Sequence, residues 1–97
     1  MFDKLEHIEK HYQELEEQLA TPEIASDPRR SQKLARERAN IETIVAMFRQ
    51  YKTTSRSLED TRAMLHEDLD AEMKALARQE IDTLEHMQSH LQEELKL

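Results

Sequence analysis

Both prolines of this 97-residue chain lie in the segment Thr21-Pro22-Glu23-Ile24-Ala25-Ser26-Asp27-Pro28, which therefore sets where its helices break. Each proline follows a residue that can cap a helix, Thr21 before Pro22 and Asp27 before Pro28. Proline at the first helical position loses nothing, because that position's N–H has no partner within the helix. The segment predicts a short helical turn after Thr21 and a new helix that begins after Asp27.

Upstream of this segment, apolar side chains recur at helical spacing. They occupy positions 2, 5, 8, 12, 15 and 19, in steps of three or four that keep them on one stripe of a helix. The other positions are mainly Glu, Lys and Gln, which are good helix formers. A disordered chain would not keep this register over five turns, so the pattern predicts a helix over about 2–20 and a turn over 21–27.

Downstream, the chain meets no helix breaker until about residue 66. The stretch His66-Glu67-Asp68-Leu69-Asp70 is the next turn candidate, and Asp70 is placed to cap a further helix. We therefore predict a long helix over about 28–66 and a last helix over about 71–97. The apolar stripe of the last helix is Met73, Leu76, Ala77, Ile81, Leu84, Met87, Leu91 and Leu95.

Short connections make successive helices antiparallel neighbours. The predicted fold class is all-α: an elongated antiparallel three-helix arrangement with a long central helix and a coiled-coil-like hairpin. Residues 1–97 would form a single domain. The methionines fall on or beside the apolar stripes, where they are expected to fill the core; a groove that binds a partner is the alternative.

The composition excludes several classes of protein. Charged residues make up 36% of the chain and apolar ones 37%, against about 25% and 45–50% in typical globular proteins. Without glycine there is no Rossmann turn or Walker-type phosphate loop, and without cysteine there is no disulfide or thiolate site. The start of the chain has no secretory signal pattern and the longest apolar run has five residues, so we expect a cytoplasmic protein with no membrane partner.

The net charge of −7 is an average over three unlike segments. Residues 1–27 carry −6, residues 28–56 carry +6 and residues 57–97 carry −7. The basic segment either complements the acidic first helix or forms a strip that binds nucleic-acid phosphates. The candidate contacts with nucleic-acid phosphates, in the first turns of the long helix, are Arg29, Arg30, Lys33 and Arg36.

Histidines and carboxylates are the remaining side chains that could bind a metal or take part in catalysis. His7 and His11, and likewise His86 and His90, have the i, i+4 spacing that places two imidazoles on one helix face. Neither pair fits the H-E-x-x-H pattern, and solvated helix faces explain them better. The carboxylates lie on polar helix faces, where nothing would shift a pKa for catalysis. We predict no active site, no metal, no cofactor and no small-molecule substrate.

Several stretches resemble the N-terminal helical domain of the bacterial peptide chain release factor 1 family, the class I translation termination factors. The resemblance covers essentially the whole chain. It rests on Met1-Phe2-Asp3-Lys4-Leu5-Glu6, Tyr12-Gln13-Glu14-Leu15-Glu16, the segment from Thr21 to Asp27, Lys33-Leu34-Ala35-Arg36-Glu37, Ile44-Val45 and Phe48-Arg49-Gln50-Tyr51-Lys52. The chain departs from the family at Ala71, where a proline is frequent, and at His86 and His90, where acidic residues are common.

The resemblance implies a part in termination at UAA and UAG codons on the ribosome. The Gly-Gly-Gln loop that promotes peptidyl-tRNA hydrolysis in that family has no place in a chain without glycine. It implies as partners the ribosome, at the stalk base protein and its 23S ribosomal RNA region, and the recycling GTPase release factor. The candidate contact at the hairpin tip is formed by His66, Glu67, Asp68, Leu69 and Asp70. The alternative is a stand-alone coiled-coil adaptor or scaffold that self-associates.

Overall fold

The computed structural model describes residues 2–96, and these residues form four α-helices and no strand. The helices are α1 (Asp3–Leu19), α2 (Pro22–Ala25), α3 (Pro28–Met64) and α4 (Ala71–Glu94). The all-α class is confirmed, and α2 is the short helical turn expected after Thr21. None of the helices in residues 2–96 contains an apolar stretch of the length that a membrane span requires.

The chain divides into two compact units, Met1–Ala46 and Met47–Leu97. The first unit contains α1, α2 and the first part of α3. The apolar stripe of α1 faces its core as predicted, since Leu5, Tyr12 and Leu15 are buried. Ile24 of α2 and Val45 of α3 are also buried. The turn therefore contributes an apolar side chain of its own to this core.

Two of the three predicted N-cap residues make a capping hydrogen bond with their side chains. The Asp27 carboxylate accepts a hydrogen bond from the backbone N–H of Arg30 at 3.3 Å, and that of Asp70 accepts one from Met73 at 2.8 Å. Thr21 occupies the N-cap position of α2, as predicted, but its side chain makes no capping hydrogen bond. The Thr21 hydroxyl donates instead to the carbonyl of Gln18, at 2.8 Å. A hydroxyl can donate as well as accept, and this carbonyl lies within its reach at the C-terminal end of α1.

The second unit is an antiparallel hairpin of the later part of α3 and α4. Arg62 of α3 pairs with Glu85 of α4, and Ser55, two turns earlier, pairs with Gln88, further along α4. This opposite progression along the two helices confirms that they run antiparallel. The buried apolar side chains are Phe48, Leu58, Ala77, Leu84, Leu91 and Leu95.

The hairpin tip closes without a glycine. Three successive backbone N–H groups, of Leu65, His66 and Glu67, each donate to the carbonyl three residues earlier, at 3.0–3.2 Å. This tighter winding ends α3 at Met64, two residues before the predicted end. No described residue has a positive φ. The last helix ends at Glu94, and the predicted end at Leu97 lies outside the described residues.

The expectation that the methionines fill the core was wrong for three of them. Met64, Met73 and Met87 are exposed, with 37%, 42% and 39% of their surface accessible, and Leu76 is exposed to 53%. They lie at the edge of their stripes, where the second helix of a two-helix hairpin does not reach. In contrast, only 4% of the surface of Thr54 is exposed, so a polar side chain occupies a place in the core.

Candidate functional site

The four candidate cations lie together in the first turns of α3. Arg29, Lys33 and Arg36 are spaced by four and three residues, which places them on one face of the helix, with Arg30 next to it. All four side chains are exposed. We call Arg29, Arg30, Lys33 and Arg36 the basic strip.

Within residues 2–96, no side chain of the basic strip forms an ion pair or hydrogen bond. The neighbouring Arg38 does: its Nη2 donates to Glu16 Oε2 of α1 at 3.3 Å, and its guanidinium carbon lies 5.2 Å from the centre of the Tyr12 ring. Complementation of the basic segment by acidic α1 therefore occurs at Arg38. It leaves the cations of the basic strip available to an external anion.

The start of α3 has an unusual charge arrangement. A helix N-terminus carries a partial positive charge and is stabilised by acidic side chains in its first turn. The first turn of α3 contains no acidic residue and carries Arg29 and Arg30 instead. These two arginines oppose the helix dipole, so helix stability does not explain their presence.

The hairpin tip gathers acidic groups. Glu67, Asp68 and Asp70 are exposed, as is His66, while Leu69 is half-buried. Asp70 is engaged as the cap of α4. A surface of this charge repels phosphates and favours basic protein side chains. The basic strip lies in the first unit and the hairpin tip in the second.

The histidines have separate surroundings. His11 Nε2 lies 3.0 Å from Glu37 Oε1 of α3, a pairing that the sequence pattern did not predict. His86 Nδ1 donates to the carbonyl of Asp82 at 2.7 Å. This hydrogen bond, together with the carboxylates of Asp82 and Glu85, raises the pKa of His86. Among the described residues, no three His, Cys, Asp or Glu side chains are grouped so as to hold a metal ion.

In a comparison with known protein families, residues 8–97 match the model of the PCRF domain. The chain is 39% identical over 97 residues to a protein of Bacillus subtilis named Peptide chain release factor 1, and 40% identical to the protein of that name in Oleidesulfovibrio alaskensis. The Listeria welshimeri protein of the same name is 38% identical. Each match covers all of this chain and 27% of the relative's length. No solved structure matches the chain.

Proposed function

Because the chain belongs to the PCRF domain family, we propose that it acts as the N-terminal domain of a peptide chain release factor, in translation termination at UAA and UAG codons. The relatives named Peptide chain release factor 1 match it from end to end, which supports this proposal. The cytoplasm would be its place of action. The chain spans only about a quarter of those relatives, so codon reading and hydrolysis would belong to other parts of such a factor.

We propose further that this domain is not catalytic. It contains no glycine, and therefore no Gly-Gly-Gln loop of the kind that the resemblance associates with peptidyl-tRNA hydrolysis. The 97-residue chain should release no peptide from ribosomes that carry peptidyl-tRNA at a UAA or UAG codon. Release above the rate without any factor would contradict the non-catalytic role.

The basic strip is the proposed contact with ribosomal RNA. The observation that carries this proposal is that four exposed cations have no anionic partner within residues 2–96, although Arg38 beside them has one. RNA phosphates would supply the missing counter-charges. The basic strip contains no aromatic side chain on which bases could stack, so contact with the RNA backbone is expected rather than base recognition.

The hairpin tip is the proposed contact with protein. Its acidic side chains suit the ribosomal stalk base protein or the recycling GTPase better than they suit RNA, because phosphates would be repelled. His66, Glu67, Asp68 and Leu69 would form this contact, beside the cap residue Asp70.

Charge reversal tests the basic strip. The double variant Arg29→Glu/Arg30→Glu should weaken binding of the chain to ribosomes by about tenfold or more, equivalent to about 1.4 kcal/mol. It should also reduce the dependence of log Kd on log salt concentration by about one for each phosphate that the variant no longer binds. Fluorescence anisotropy of labelled chain against purified ribosomes at several salt concentrations measures both quantities.

The control variant is Arg56→Glu/Arg78→Glu, which changes the net charge equally at two exposed cations outside the basic strip. It should bind nearly as the unaltered chain does. The first variant should at the same time unfold less readily, by about 0.3–1 kcal/mol per residue, since glutamate favours a helix N-terminus. Equal loss of affinity in both variants would contradict a specific role for the basic strip.

A further inference from the structure

The exposed apolar side chains of the molecule are not scattered. Among residues 2–96, the large apolar side chains that are exposed are Met64, Met73, Leu76 and Met87, and all lie in the hairpin unit. Isolated exposed apolar side chains are normal on a protein surface, whereas a contiguous group marks a site of interaction. Three of these four line one groove.

This tip groove lies between the end of α3 and the start of α4 and has a volume of about 420 Å³. Met64 lines it from α3, and Met73 and Leu76 line it from α4. Its other lining residues are Thr61, Ala77, Gln79, Glu80 and Thr83. Methionine side chains are flexible and polarisable, so such a groove adapts to the side chains of an incoming helix.

The two sides of the hairpin differ. On one side, α3 and α4 are joined by the Arg62–Glu85 ion pair at 2.8 Å. Residue 78 of α4 lies two positions after Leu76, so Arg78 points away from the tip groove. Among residues 2–96, no basic side chain lines the groove. The hairpin therefore keeps Arg62 and Arg78 away from its exposed apolar groups.

The charges next to the tip groove are acidic. Glu80 lines it. Asp60 precedes Met64 by four residues on α3, and Glu72 precedes Leu76 by four on α4, so each lies one turn from an apolar lining residue. All three carboxylates are exposed, and none forms an ion pair within residues 2–96. The groove thus combines an apolar floor with unpaired negative charge at its edges.

From this combination we propose that the tip groove binds a basic amphipathic helix of a partner protein. The partner's apolar side chains, at i, i+3/i+4 and i+7, would replace water over Met64, Met73 and Leu76. Its lysines or arginines would face Glu72, Glu80 and Asp60. Two copies of this chain would bring like charges together, and RNA phosphates would be repelled, so neither is the proposed occupant. This site is independent of the ribosomal contact proposed for the basic strip.

A peptide probe tests the site on the 97-residue chain. The probe is a helical peptide of about 12 residues, or about 18 Å, with leucine on one face and lysine on the other. Its matched controls carry glutamate in place of lysine, or the same composition in scrambled order. Fluorescence anisotropy should show the basic amphipathic peptide binding at least tenfold more tightly than either control.

Methionine methyl groups report where the peptide binds. A second groove of about 450 Å³, further along the hairpin, is lined by Met47 and Met87. With methyl-labelled methionine, NMR signals of Met64 and Met73 should shift on addition of the basic peptide, while those of Met47 and Met87 should not. Shifts confined to Met47 and Met87 would overturn the assignment to the tip groove.

Variants separate the contributions of shape and charge. Met73→Gln/Leu76→Gln changes two exposed side chains, so the fold should persist, and affinity for the basic peptide should fall about tenfold. Glu72→Lys/Glu80→Lys should lower this affinity similarly and weaken its salt dependence, because only Asp60 then remains to attract the lysines. Met87→Gln should leave the affinity unchanged. Equal binding of the acidic peptide, displacement of the basic peptide by poly-uridine RNA, or light scattering that shows a dimer formed through this groove would each overturn the proposal.

Discussion

Arg38 of α3 is hydrogen-bonded to Glu16 of α1, with its Nη2 3.3 Å from Glu16 Oε2. The same guanidinium lies 5.2 Å from the centre of the buried Tyr12 ring, so it joins a surface charge to the core of the first unit. Arg36, two residues earlier, has no partner within residues 2–96. One helix therefore carries arginines of two kinds, one that stabilises the fold and others open to an external ligand.

Replacing these two arginines should have unequal effects on stability. Arg38→Ala removes an exposed ion pair, of about 0.2–1 kcal/mol, and a cation–π contact of about 0.5–1 kcal/mol. The free energy of unfolding should fall by about 1 kcal/mol, measured by urea denaturation followed by circular dichroism. Arg36→Ala, the matched control, should change it by less than about 0.5 kcal/mol. Equal losses would mean that the Glu16 and Tyr12 contacts do not stabilise the first unit.

The cap of α4 offers a second pair of variants. Asp70 accepts a hydrogen bond from the N–H of Met73, whereas the side chain of Asp68, two residues earlier, makes no hydrogen bond within residues 2–96. Asp70→Ala should lower the free energy of unfolding by about 1 kcal/mol. Asp68→Ala should leave it nearly unchanged in the same urea titration. An equal loss at both positions would indicate a general charge effect at the hairpin tip rather than capping.

The caps also show what could be predicted from the sequence. Asp27 and Asp70 were identified because a carboxylate before a helical pattern has one local use, to accept from the first free N–H groups. Thr21 precedes a proline in the same way, but a hydroxyl is also a donor. The Thr21 hydroxyl donates to the carbonyl of Gln18 instead. The sequence around Thr21 does not show whether its hydroxyl will accept from an N–H of α2 or donate to a carbonyl of α1.

The exposed apolar residues show where such reasoning fails. Helical spacing identifies which side chains share a stripe, but how wide a stripe is covered depends on how many helices pack against it. Leu76 and Met73 belong to the predicted stripe of α4 and are exposed, while Ala77 and Leu84 of the same stripe are buried. The tip groove follows from this difference, and no pattern in the sequence reveals it. The His11–Glu37 pairing depends on tertiary packing in the same way.

Two leucines of the hairpin unit test this distinction between stripe and core. Leu58 is 1% exposed, and Leu58→Ala should lower the free energy of unfolding by about 2–5 kcal/mol, because it leaves a cavity in the core. Leu76→Ala removes the same atoms from a side chain that is 53% exposed and should cost less than about 0.5 kcal/mol. Thermal or urea unfolding followed by circular dichroism measures both. A large loss at Leu76 would show that the tip groove is part of the core.

The pH dependence of stability should carry a contribution from His86. Its Nδ1 donates to the carbonyl of Asp82 at 2.7 Å, and this bond, with the nearby carboxylates of Asp82 and Glu85, raises the pKa of His86. A group whose pKa is higher in the folded state stabilises the fold below its unfolded pKa, which is about 6.5 for histidine. That contribution is lost as the pH rises through the folded-state pKa.

Proton NMR titration of the His86 ring should therefore give a pKa above about 6.5. In Asp82→Asn the carboxylate is lost and the carbonyl acceptor remains, so the pKa should fall toward the ordinary value without dropping below it. Urea titrations of the unaltered chain and of His86→Gln should differ most at about pH 5–6 and converge above the folded-state pKa, since only protonated His86 gains from folding. A difference that grows as the pH rises would contradict this assignment, because it would mean that the neutral imidazole is the form that folding favours.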